Sequence, residues 1–132
     1  MDLQGAIEQQ NRSMIAFDLA LGTGALLAPD ATLKLLGHAQ PSDDARELFR
    51  RLGPIWLTFS AAHAIAARRG NPEDWWALAW LRGTELFTDA LWSRSPAFRT
   101  NRARATMIGA GAGNLAMSVA FGWLATRRRG RR

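Results

Sequence analysis

Five ionisable side chains stand inside stretches that are otherwise apolar: Asp18, His63, Arg82, Glu85 and Asp89, with Asn114 as an uncharged polar residue in a further apolar run. Carboxylates, an imidazole and a guanidinium brought together can hold a small polar ligand or pass a proton, and ionisable groups at membrane depth are a functional-site hypothesis by default. Arg82 and Glu85 are three residues apart and Glu85 and Asp89 four apart, so on a helix they share one face and Arg82 can pair with Glu85. His63, Glu85 and Asp89 are also metal-ligand types. One imidazole with two acids lacks the paired histidines of a helical metal motif, so neither a metal nor another cofactor is expected.

Nucleophilic chemistry finds little support. Ser13, Ser60 and Ser118 have no glycine-flanked elbow, and the chain has no cysteine, which removes thiolate nucleophiles, disulfides and iron–sulfur ligation together. No catalytic residue is assigned, and the balance is against an enzyme.

The elements that must carry these groups come from apolar blocks. The 132 residues form one domain, and with glycine included about 57% of them are apolar, against about 45–50% in an average soluble domain. Sixteen arginines against the single Lys34 suggest a GC-rich bacterial genome. Uncharged or nearly uncharged runs predict an all-α fold of four transmembrane helices, at roughly 14–28, 53–68, 75–92 and 105–126. Ser42 followed by Asp43 and Asp44 starts the second helix, and Pro54 is expected to kink it. Asn71-Pro72-Glu73-Asp74 starts the third and Ser95-Pro96 the fourth. The stretch Leu33-Lys34-Leu35-Leu36-Gly37 is too short to span and is read as an interfacial segment between helices one and two.

Trp75 and Trp76 open helix three and Trp92 closes it, as headgroup-level indoles do, while Trp56 and Trp123 sit near the ends of their own helices. In that arrangement Asp18, His63 and Arg82 form one polar layer, Glu85 and Asn114 lie near the midplane, and Asp89 faces Arg50 or Arg51. Small residues recur every four positions: Ala16, Ala20, Gly24 and Ala28, then Ala105, Gly109 and Gly113. Gly24, Gly109 and Gly113 are therefore expected to pack helices closely, within the bundle or between two copies of the chain.

The tail, residues 127–132, holds Arg127, Arg128, Arg129, Arg131 and Arg132. It is expected to meet anionic lipid headgroups, and no nucleic acid is expected. The first 13 residues are polar and give no cleavable signal. Flanking positive charges tie at eight on each side, so orientation rests on the dense tail, which places both termini in the cytoplasm. The expected location is a bacterial inner membrane, crossed several times.

Gly22-x-Gly24 followed by Pro29, Gly37 in the loop, Arg51-Leu52-Gly53 with Trp56, and Trp80 above an acidic stripe give a layout that resembles the small DoxX-like membrane proteins and several families of unassigned role. It is also similar to the four-span scaffold of fungal and animal sterol synthesis. The resemblance covers most of the chain and implies architecture, with roles from redox-linked membrane subunits to scaffolds. Two functions are carried forward. The first is an accessory or scaffold membrane subunit with a structural polar core, partnered by lipid, by another membrane protein or by itself. The second is a membrane protein that binds a small ligand or relays protons through Asp18, His63, Arg82, Glu85, Asp89 and Asn114. A soluble helical bundle is the third alternative.

Overall fold

The computed structural model describes residues 2–96 and 98–130. Five α-helices follow one another: α1, Leu3–Leu27; α2, Pro29–Leu35; α3, Asp43–Arg69; α4, Pro72–Trp92; and α5, Asn101–Arg129. No strand occurs among the described residues. The stretch expected to lie at an interface is α2, with Pro29 at its first position.

The expectation of four transmembrane helices is corrected here. Among the described residues only α5 is both long enough and apolar enough to cross a membrane. The other long helices carry too many polar groups along their length. α1 carries Glu8, Gln9, Gln10, Asn11, Arg12 and Ser13 in its first half and Asp18 beyond them; α3 begins with two turns rich in Asp, Glu and Arg; and α4 holds Glu73, Asp74, Arg82, Glu85 and Asp89. What extends these helices is local capping and burial rather than hydropathy.

Their starts follow the capping chemistry. Asp2 caps α1 by accepting from the amide of Gly5, and Ser42 caps α3 by accepting from the amide of Ala45. α4 begins at Pro72 behind Asn71, as the sequence signal predicts. α5 departs from it: Ser95 lies in a turn whose amide bonds to Trp92, and the helix starts only after Thr100. Thr100 Oγ1 accepts from the amide of Ala103 at 3.0 Å and donates to the carbonyl of Gly37 at 2.8 Å. One hydroxyl thus caps α5 and ties it to the α2–α3 connection, which a Ser95 start cannot do.

α1 packs most extensively on α3, and α4 on α5. The α1–α3 crossing is tight because Gly22 and Gly53 face each other: a Cβ on Gly22 would meet the Gly53 carbonyl oxygen at 2.8 Å, and one on Gly53 would meet the Gly22 oxygen at 2.9 Å. One apolar cluster joins Ile7, Ala66, Trp75, Leu78, Phe121 and Leu124 at one end of the bundle; a smaller one joins Ala25, Leu33 and Phe49 at the other.

Between those clusters the usual inside-out distribution is reversed. Asn11, Asp18, His63, Arg82 and Asn114 are buried, while Phe17, Leu19, Trp80, Phe87, Ile108 and Val119 are exposed, Trp80 by 74% and Phe87 by 77%.

Candidate functional site

Arg82 is the hub. It lies on the buried face of α4, and its guanidinium donates through Nη2 to Asp18 Oδ2 on α1 and through Nη1 to Glu85 Oε2, 2.7 Å away on its own helix. The same group reaches Nε2 of His63 on α3, with Nε at 3.2 Å and Nη2 at 2.7 Å. An arginine suits this position because its planar fork presents several donors in fixed directions. Its guanidinium also lies over the Phe59 ring, with Cζ 5.5 Å from the centroid.

His63 is held in one orientation by Asn11. The Asn11 Nδ2 donates to the His63 carbonyl at 3.0 Å, which turns its Oδ1 towards the ring Nδ1, 2.5 Å away. An amide oxygen only accepts, so Nδ1 carries the proton; Nε2, facing the donors of Arg82, carries the lone pair. The ring is therefore a neutral imidazole with its tautomer fixed by both neighbours. Phe121 closes the remaining side, edge-on at 5.7 Å. Nearby, Ser60 Oγ donates to the carbonyl of Ile15 at 2.8 Å and adds a further polar link between α1 and α3.

The charge balance follows directly. One guanidinium faces the carboxylates of Asp18 and Glu85, and His63 contributes no charge. Asp18 is completely buried, and its Oδ1 has no hydrogen-bond partner among the described residues, whereas the side chain of Glu85 remains 24% exposed.

The structure brings together four of the residues singled out from sequence: Asp18, His63, Arg82 and Glu85. Asp89 and Asn114 form a separate pair one to two turns along, with Asn114 Nδ2 donating to Asp89 Oδ2 at 2.9 Å. Neither Arg50 nor Arg51 reaches Asp89: Arg50 pairs with Glu47, and Arg51 is exposed. Asn11 was missed. Its signal was present, since it stands seven residues before Asp18 and so on the same helical face, but it precedes the apolar run that was read as the start of the helix.

The small residues divide. A Cβ on Gly24 would meet Thr32 Oγ1 at 2.7 Å, so Gly24 admits α2 against α1, whereas Gly109 and Gly113 have no described atom within 4 Å of such a position. Of the tail arginines, Arg128 turns back into the bundle and donates to the Gly70 carbonyl at 2.6 Å and to Glu8 Oε1 at 2.5 Å. Arg127 stacks over Trp123 at 5.0 Å; Arg131 and Arg132 lie outside the described residues.

Two cavities lie away from Arg82. One, about 220 Å³, is at the end of the bundle beside Arg12, Arg69 and Arg128; the other, about 340 Å³, is an apolar groove between α1 and α5. No group of three or more metal-ligand residues occurs among the described residues. Comparison with protein-family models, with curated proteins and with solved structures finds no match to this chain, so the meaning of the site rests on its geometry.

Proposed function

We propose that the protein is a membrane-anchored helical bundle that acts as an accessory or scaffold subunit, with the Arg82 network as the internal clasp that fixes how its helices meet. The observation that carries this reading is the inverted distribution of side chains: an ion pair and an imidazole inside, tryptophan, phenylalanine and leucine outside. In water, contiguous exposed apolar surface is unfavourable and marks a face that meets lipid or a partner. α5 supports the anchoring, since only 22% of its most apolar stretch is buried within the protein. A core helix of a water-soluble fold would be covered far more completely.

The clasp is read as structural because its members spend their donors and most of their acceptors on one another, Asp18 Oδ1 being the exception. Arg82 reaches α1, α3 and its own helix at once, and Asn11 fixes His63. Asp18, His63, Arg82 and Glu85 line neither of the two cavities. A slipped register would leave a buried charge uncompensated, which is costly.

Fractionation is the test. The full chain, expressed with a tag, is expected to stay in the membrane pellet through washes at high salt and alkaline pH and to be released by detergent. Release by those washes without detergent overturns the reading.

A further inference from the structure

The cavity at the arginine end gathers donors from four helices. Glu8 and Arg12 of α1, Arg68 and Arg69 of α3, Trp75 of α4 and Arg128 of α5 line it. Two of the arginines are committed, Arg69 to Asp74 at 3.6 Å and Arg128 to Glu8. Arg12 and Arg68 form no ion pair with any described residue and are exposed at the rim. Two donors of these lining side chains are buried without an acceptor among the described residues: the indole Nε1 of Trp75, a side chain only 1% exposed, and Nε of Arg128. The two residues are adjacent, with the Arg128 guanidinium 5.5 Å from the Trp75 ring centroid.

Buried donors are almost always satisfied in folded proteins, and leaving one bare costs about 1–3 kcal/mol. Here two such donors belong to side chains that line one cavity, which two uncommitted guanidinium groups line as well. The shared requirement is an acceptor that carries negative charge and offers several oxygens in diverging directions. A phosphate group meets it, since arginine binds phosphate bidentately and an indole N–H can take a further oxygen. Size agrees: about 220 Å³ lies below the range of about 300–1,000 Å³ usual for drug-sized ligands, and suits a compact anionic group.

Gly70 helps to build the cavity. Its φ of 65° is left-handed, which favours glycine, and a Cβ there would press on Arg128 Nη1, so glycine ends α3 with its carbonyl open to that arginine. Arg128 is thereby held by Gly70 and Glu8 through its two terminal nitrogens, leaving Nε as the unspent donor.

We propose that this cavity binds a phosphate group, supplied by a lipid headgroup or by a soluble phosphate, with Trp75 and Arg128 as the buried donors and Arg12 and Arg68 as the rim cations. The site does not depend on the scaffold reading above, because it is built from donors at the bundle end and not from the Arg82 network.

The experiment uses full-length protein labelled with ¹⁵N at its tryptophan indoles, in a non-ionic maltoside detergent. Inorganic phosphate and, separately, phosphatidylglycerol dissolved in the micelles are titrated in, and the Trp75 indole signal is assigned with Trp75→Phe. At least one probe is expected to move that signal saturably, and Arg12→Gln with Arg68→Gln is expected to weaken binding by about tenfold or more. Calorimetric affinities of wild type and the double variant give the same comparison without the assignment. A response to phosphate alone identifies a soluble source, a response to the lipid alone a headgroup, and a response to both the phosphate group as such. No response to either probe, or equal affinity in the double variant, overturns the proposal.

Discussion

Arg82 of α4 and Asp18 of α1 form an ion pair in which both side chains are almost fully enclosed, 3% and 0% exposed. Because α4 packs chiefly on α5 and α1 chiefly on α3, this pair is a buried polar bond between the two helix pairs, beside the apolar cluster that also joins them, with His63 of α3 at its side.

Removing the cation from such a pair is expected to be far worse than removing both charges. Arg82→Met leaves Asp18 with no counter-charge and should lower unfolding free energy by about 3–5 kcal/mol. Asp18→Leu combined with Arg82→Met removes the buried pair and should recover much of that loss. Chemical denaturation of the three proteins in one detergent reads the coupling. If the double variant were less stable than Arg82→Met alone, the pair would have a role beyond compensating charge.

Asn11 and His63 exchange two hydrogen bonds, so Asn11→Ala should destabilise by about 1–3 kcal/mol and release the ring. In the wild type at pH 7.5 the ¹⁵N spectrum of His63 is expected to show the tautomer protonated at Nδ1. Asn11→Ala should turn this into a mixture. A wild-type ring protonated at Nε2 would contradict the Asn11 and Arg82 geometry.

Much of the candidate site was legible in the sequence, and the reason is physical. An ionisable residue within an apolar run is costly unless it is paired, so Asp18, His63, Arg82 and Glu85 stood out as candidates; spacing grouped only Arg82, Glu85 and Asp89, and the layer of Asp18, His63 and Arg82 followed from depths in a four-span arrangement that the helices do not support. The Ser42 start was readable because capping is local chemistry, and the Pro72 start because proline suits the first helical position. Membrane span number was not readable from apolar runs, because those runs marked buried and exposed apolar faces alike and did not show that α1 begins at Leu3. Asp89 drifted to Asn114 rather than to Arg50 because facing partners depend on helix rotation, which spacing on one helix does not fix. The link from Thr100 to Gly37 joins positions 63 residues apart and has no local signature.

The glycines give a contrast in opposite directions. Gly22→Ala would press a methyl group on the Gly53 carbonyl and Leu57, and a loss of about 1–3 kcal/mol is expected from the forced separation of α1 and α3. Gly109→Ala meets open space and removes a flexible residue from a helix, so stability should rise by up to about 1 kcal/mol. Thermal unfolding of both variants in the same detergent is the check. A destabilised Gly109→Ala would indicate that this face of α5 is covered in solution, and cross-linking of the wild type would then show whether a second copy covers it.

Thr100 gives the most local of the tests. Thr100→Val keeps the shape of the side chain but removes the oxygen that caps α5 and the proton given to Gly37. Loss of the cap alone costs about 0.5–2 kcal/mol, and the Gly37 carbonyl loses its partner as well. The first turn of α5 should fray, so hydrogen exchange at the Ala103 amide is expected to rise well above that at Phe121, which lies deep in the same helix. Uniform exchange along α5 in the variant would mean that the helix is held at its start by packing and that the hydroxyl contributes little.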